Sequence, residues 1–218
     1  MTQISRNQVR IMLELQDRMN SKVQDNWIAA RFPYLRAVVI EGAEAIEHHG
    51  WKWWKKQDKE LQQLQMEVVD IWHFLLSELL LRNDRNHDLA ADIVLQADTE
   101  SSNIQFDGRS CDLSQMELID KLELLIGLAA ARRVELTLFK SIMLDCQMDW
   151  DALFRQYVSK NVLNFFRQDH GYKEGRYLKL WNGREDNEYL VEIMAQLDPE
   201  DEAYPDLLYQ QLARHYPG

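Results

Sequence analysis

The sequence predicts an all-α protein, a helical bundle, on three observations. Apolar residues recur at helical spacing through most of the 218 residues. The chain holds only 8 glycines and 4 prolines, too few for the many connections of a β-sandwich or barrel. Its longest apolar run, around Ile71–Leu81, belongs to a stretch that is hydrophobic on nearly every side, the mark of a central buried helix. With 46% hydrophobic and 28% charged residues, the composition is that of a folded soluble protein. The length suits a single domain spanning residues 1–218.

Each element has a local reason. A first helix is predicted over Ser5–Lys22, where Val9, Met12, Leu13, Leu15 and Met19 make an apolar stripe. Pro33, with its fixed φ, suits the opening of a second that stops at Gly50. A third starts near Asp58 as N-cap and runs to about Arg82. A shorter one covers Asp88–Gln96, and the polar segment Asp98–Asp112 reads as a loop. Ser114 and Glu117 have the Ser-x-x-Glu spacing of a capping box, with a helix following to about Arg132. Further helices fit Glu135–Gln147 and Asp151–His170, the latter ended by Gly171. Gly171–Arg184, with three glycines among Tyr, Lys and Trp, reads as an ordered non-helical loop. Two last helices fit Asn187–Gln196 and Pro205–Tyr216. The plan is therefore core helices over about 5–97 and 114–170, a lid-like loop 171–187 and C-terminal helices over 187–216.

The formal charge of −11 argues against duplex nucleic acid as a partner, since each phosphate contact would oppose the mean field. Cys111 and Cys146 are far apart and form no CxxC, so neither a disulfide framework nor a thiolate zinc site is expected. The N-terminus has no continuous apolar segment of the secretory kind, and no stretch approaches a membrane span. A cytoplasmic protein without membrane partners is the expectation.

Glu-x-x-Glu/Asp recurs by chance in a chain with 36 acids. Glu117 and Asp120 sit in a first helical turn, where acids favour the dipole. Two other pairs differ. Glu41 and Glu44 lie in AVVIEGAEAI, and Glu67 and Asp70 lie in MEVVDIWHFLL. The i, i+3 spacing puts each pair on one helix face among residues that must be buried. Unpaired anions there would be costly, so they need cations, protons or a metal. Magnesium takes a few carboxylates together with waters and substrate phosphates. The competing reading is that the acids simply face solvent. A di-iron site needs two Glu-x-x-His motifs, and only Asp70-x-x-His73 comes near one. Zinc from His48, His49 and His73 is disfavoured because adjacent histidines on a helix cannot face one metal.

Glu41-x-x-Glu44, 22 intervening residues, then Glu67-x-x-Asp70 resembles the ExxE…ExxD signature of the all-α nucleoside triphosphate pyrophosphohydrolases, the MazG-like superfamily. Three further blocks resemble its dimeric dUTPases: Leu15-Gln16-Asp17-x-x-Asn20, Trp51-Lys52-Trp53-Trp54-Lys55 and the segment Lys160–Asn187. The regions Asn83–Asp149 and the acidic tail after Leu197 carry no matching motif.

The resemblance implies a homodimeric, Mg²⁺-dependent diphosphatase that converts dUTP and water to dUMP and pyrophosphate, with dUDP also accepted. It assigns Glu41, Glu44, Glu67 and Asp70 to the metal, with Glu44 as general base. Gln16 and Asn20, one turn apart, carry the donor and acceptor groups to read a uracil edge; Trp54 and Asn164 complete the nucleoside site. Lys55, Lys160, Arg167, Tyr172, Lys179, Arg184 and Asn187 are expected on the phosphates. Gly171–Asn187 would act as a lid, mobile without ligand. A related diphosphatase of other base specificity and a non-enzymatic helical interaction protein are the alternatives.

Overall fold

The computed structural model describes residues 3–99, 102–198, 201 and 203–218. Among these, ten helices follow in order: α1 (Arg6–Val23), α2 (Trp27–Ala30), α3 (Tyr34–His49), α4 (Leu61–Arg82), α5 (His87–Thr99), α6 (Leu118–Ala130), α7 (Leu136–Asp145), α8 (Trp150–Asp169), α9 (Asp186–Met194) and α10 (Tyr204–His215). Two small antiparallel hairpins interrupt them, β1 (Asn103–Phe106) with β2 (Arg109–Asp112) and β3 (Leu180–Trp181) with β4 (Arg184–Glu185). None of the described helices is long and apolar enough to cross a membrane.

The expected helices form where periodicity placed them. Ser5 caps α1 in a capping box, its Oγ accepting from Gln8 N at 3.2 Å while Gln8 Oε1 accepts from Ser5 N at 3.0 Å. The buried face of α1 runs Val9, Met12, Leu13, Gln16, Asp17, Met19 and Asn20, so the apolar stripe turns polar over its last two turns. Helix α4 is buried around most of its circumference, and Trp72 stacks on Phe139 at 4.8 Å. Between Met66 and Leu80 its incompletely buried positions, Met66, Asp70, Phe74 and Glu78, recur every four residues and so form a single stripe.

Helix α3 lies between α4 and α6. Gly42 makes the approach to α6 possible: a Cβ there would sit 2.8 Å from Ile126 Cγ1. The carboxylates on either side of this glycine are thus held on a helix pressed against the core.

Three boundaries depart from the sequence reading. Helix α4 begins at Leu61 rather than after Asp58, because Glu60 N bonds His48 O at 2.9 Å and the 50–60 segment folds back on α3. Ser114 does not cap α6; it sits in a 3-10 turn, Leu113–Gln115, where Asp112 Oδ1 accepts from its N–H at 3.0 Å. An extended Met116 then separates that turn from α6, whose N-cap is Glu117. The Asp98–Asp112 segment is not all loop: α5 extends to Thr99 and β1–β2 close at Asp107-Gly108, with φ of 51° and 75°. Such positive φ pairs make the two-residue turn that matches strand twist. Residues 100 and 101 of that segment, and the first two of the N-terminal reading, lie outside the described residues. Asn182-Gly183 closes β3–β4 in the same way, with φ of 51° and 85°.

Two apolar clusters organise the chain. The larger draws on α1 and α3 through the first half of α8; the smaller joins Val162, Leu163 and Phe166 to Trp181, α9 and α10. Helix α8 runs through both, so side chains near its middle stand where the clusters meet.

Candidate functional site

The polar end of α1, the face of α3 carrying Glu41, the open stripe of α4 and the middle of α8 converge on a cavity of about 400 Å³. Gln16, Asn20, Phe32, Tyr34, Phe74 and Asn164 are among its walls. A larger space of about 710 Å³ adjoins it, lined in part by Glu44, Glu67, Lys179, Arg184 and Asn187. Glu41, Asp70, Lys160, Arg167 and Tyr172 belong to both walls. The arrangement has an amide- and aromatic-lined half and a charged half, with the acids at the junction.

Carboxylate oxygens of Glu41, Glu67 and Asp70 lie within 4.8 Å of one another. Glu67 is buried, Glu41 and Asp70 partly so. Burial, then repulsion from Asp70 and Glu67, holds the Glu41 carboxyl well above the usual carboxylate range. Burial and Asp70 likewise raise Glu67, against the pull of the Glu41 hydrogen bond and Lys160. Glu44 is exposed on the rim of the larger cavity, one turn from Glu41 and outside the three-acid cluster. Such an oxygen set, carrying more negative charge than its surroundings neutralise, suits a hard divalent cation. The three-acid cluster contains no histidine among the described residues, but His48 borders it: its Nδ1 bonds Glu60 at 2.7 Å and its Nε2 lies 3.6 Å from Glu67 Oε1, while His73 is buried in the other half.

The amides of α1 form an internal network. Gln16 Oε1 accepts from His73 Nδ1 at 2.8 Å and the Tyr157 hydroxyl at 2.9 Å. Gln16 Nε2 donates to Ser77 Oγ at 2.9 Å and Asn20 Oδ1 at 3.1 Å, while Asn20 Nδ2 donates to Ser77 Oγ at 3.1 Å. Asp17, on the neighbouring face, anchors α1 by accepting from Trp27 Nε1, Arg85 and His87.

Four of the five expected cations, all but Lys55, already have acidic partners. Lys160 Nζ, on a residue only 6% exposed, lies 3.0 Å from Asp70 Oδ2. Arg167 grips the buried Asp186 through Nε and NH2, both at 2.8 Å, and donates to Asn164 Oδ1 at 3.1 Å and Asn187 Oδ1 at 3.3 Å. Arg184 pairs with Glu188 and Glu192, and Lys179 with Glu185, on the exposed side. Within segment 171–187, Trp181 is wholly buried, Tyr177 donates to Asp186 at 2.8 Å and Leu178 N to the Tyr216 hydroxyl at 3.2 Å.

Trp54 and Lys55 line neither cavity. Trp51 Nε1 bonds Glu47 at 2.8 Å, and the three tryptophans pack edge-on against each other with Trp53 87% exposed. The ring beside the amides is supplied instead by Phe32, Tyr34 and Phe74. His73, Ser77 and Tyr157 were missed as members of the site. Their signal was a polar i, i+4 pair, His73 and Ser77, inside the most apolar helix of the chain.

The family model described as dUTPase matches residues 8–172, about three quarters of the chain. No individual curated protein matches it.

Proposed function

The chain belongs to the dUTPase family, of the all-α type, and is a nucleotide diphosphatase; from that premise we propose that it is a Mg²⁺-dependent dUTP diphosphatase, converting dUTP and water to dUMP and pyrophosphate and also accepting dUDP. The observation that carries this reading is the joined pair of cavities, with three convergent carboxylates at the junction between an amide-lined half and a cation-lined half.

Glu41, Glu67 and Asp70 hold the cation in this reading, with Glu44 completing the set from the rim. A bound divalent ion supplies charge to offset the phosphates and acidifies water. Glu44, exposed and outside the cluster, takes the proton from the attacking water. The nucleoside occupies the smaller cavity beside Asn20 and Asn164, among Phe32, Tyr34 and Phe74. Gln16 contributes by holding that wall in place, since its amide is engaged internally. Lys160 and Arg167 stand where the two cavities meet, and Tyr172, Lys179, Arg184 and Asn187 line the path of the phosphates. The four cations exchange acid partners for phosphate oxygens in part, so binding energy is directed to the charged end.

We also propose one domain and a homodimer, on the resemblance; sedimentation of the purified chain tests the latter. The test of the activity is pyrophosphate release from dUTP with and without Mg²⁺, comparing wild type with Glu67→Gln and Glu44→Gln. Both variants are expected to lose at least about a hundredfold in kcat. Equal turnover of dCTP or dTTP would remove the uracil assignment.

A further inference from the structure

Pro217 bars the residue before it from helical backbone, so Tyr216 leaves α10 extended, at φ −68° and ψ 126°. That exit turns its ring back across the end of α8. There it meets four other rings. Phe166 lies 5.3 Å away, His170 4.8 Å and Trp181 5.5 Å, all edge-on, while Tyr177 stacks at 5.3 Å with only 6° between the planes. The Tyr216 hydroxyl also accepts from Leu178 N at 3.2 Å. One side chain from beyond the last helix thus touches both α8 and the segment that follows it.

That segment has few other holds. From residue 172 to 180 every position but Tyr177 is exposed, so burial fixes little of its course. Lys173 ties its start to Val23 O at 2.7 Å. Tyr177 ties its middle, and its hydroxyl reaches toward the site: it donates at 2.8 Å to Asp186 Oδ2, the same oxygen that accepts from Arg167 Nε at 2.8 Å. Arg167 lines both cavities and donates from NH2 to Asn187 Oδ1 at 3.3 Å. A continuous run of contacts therefore leads from Tyr216 through Tyr177 and Asp186 to Arg167. The parallel stack and the bond to the Leu178 backbone fix Tyr177 in direction as well as in place, which apolar cover alone would not require.

We propose that Tyr216 is a positioning residue for the phosphate end of the site: by clamping Tyr177 it sets the Asp186 carboxylate, and through that the Arg167 guanidinium. This rests on the proposed function, which puts the phosphates in the larger cavity. Its chemical consequence is selective. A guanidinium takes two phosphate oxygens only in the plane that its fork presents, so a tilt costs phosphate affinity and spares the base and sugar.

The test uses the full chain with Mg²⁺ and two probes, α,β-imido-dUTP and deoxyuridine, which has the same base and sugar without phosphate. Tyr216→Leu should lose at least about tenfold in affinity for the imido analogue and stay within about threefold for deoxyuridine. Tyr216→Phe keeps the stacked ring and should stay within about threefold of wild type for both. Tyr177→Phe keeps the stack but cannot reach Asp186, and should weaken the analogue by about three- to tenfold. Adding Tyr216→Leu to it should then cost less than Tyr216→Leu does alone, since both act on one run of contacts. A folded Tyr216→Leu that binds the analogue like wild type, or weakens both probes equally, overturns the proposal. Should Tyr216→Leu fail to fold, Tyr177→Phe decides, and wild-type affinity for the analogue in that variant overturns it. If wild type hydrolyses dUTP and the variants match it, only this proposal falls. If wild type neither binds the analogue nor hydrolyses dUTP, the proposed function falls with it.

Discussion

Lys160 Nζ lies 3.0 Å from Asp70 Oδ2, tying α8 to α4 at the boundary between the two cavities. The lysine relieves part of the repulsion among Glu41, Glu67 and Asp70, and on the proposed function it is also a phosphate contact. Those two tasks oppose each other when the cation is removed.

Lys160→Met is therefore expected to split two affinities. Without the ammonium, the acid cluster attracts a divalent ion more strongly, by roughly three- to tenfold. The KM for dUTP should rise at least about tenfold, because the phosphates lose a buried cation. Calorimetric Mg²⁺ titration without nucleotide, beside steady-state kinetics, measures both. Parallel weakening of the two would contradict the placement.

The raised carboxyls give metal-free stability a defined pH slope. Burial, with repulsion from Asp70, holds the Glu41 and Glu67 carboxyls of the folded chain well above the 4.5 of an unperturbed glutamate. Between roughly pH 4.5 and 8 the folded state thus holds protons that the unfolded state has released, so stability falls as pH rises. In chelator, Tm should be lower at pH 8 than at pH 5.5 by a few degrees, about the shift that ~1 kcal/mol produces in a chain of this size. Glu67→Gln should flatten that slope, and Mg²⁺ should restore Tm most at pH 8. Melting curves across this range, each with and without Mg²⁺, settle the matter.

Asp186 is fully buried and accepts from Arg167 twice and from Tyr177. Asp186→Ala leaves a buried guanidinium without its anion, a loss of about 3–5 kcal/mol. Replacing both partners, Asp186→Leu with Arg167→Met, should cost less than the sum of the single changes. Denaturant unfolding of the double-mutant cycle reads the coupling, and strict additivity would show the pair to be energetically independent.

Gly42→Ala should destabilise by about 1–3 kcal/mol, since the added methyl would stand 2.8 Å from Ile126 Cγ1. The shift is transmitted to Glu41, so Mg²⁺ affinity should weaken as well. Pairing the change with Ile126→Val should recover part of both losses, measurable by urea titration and calorimetry.

The helices were legible because burial of an apolar stripe has a period, and α1, α3, α4 and α8 start and stop within a few residues of where that period and the caps place them. The hairpins were read as loop: their turns, Asp107-Gly108 and Asn182-Gly183, are two-residue signals inside polar segments. The boundary at Asp58 misled because Glu60 is tied to His48 by a long-range backbone bond that no local pattern announces.

By itself, the sequence determined an all-α chain with two acidic i, i+3 pairs on helices that must pack, because spacing along a helix fixes which residues share a face. Only the tertiary structure decided which members of those faces meet. Glu41, Glu67 and Asp70 converge while Glu44 stays at the rim, and Trp54 stays outside. It also placed Gln16 in the cavity wall within hydrogen bonds to His73, Tyr157, Ser77 and Asn20. The reason is that a hydrogen bond or an ion pair between helices depends on the angle and depth at which they cross, and those are set by the whole core, not by any one segment.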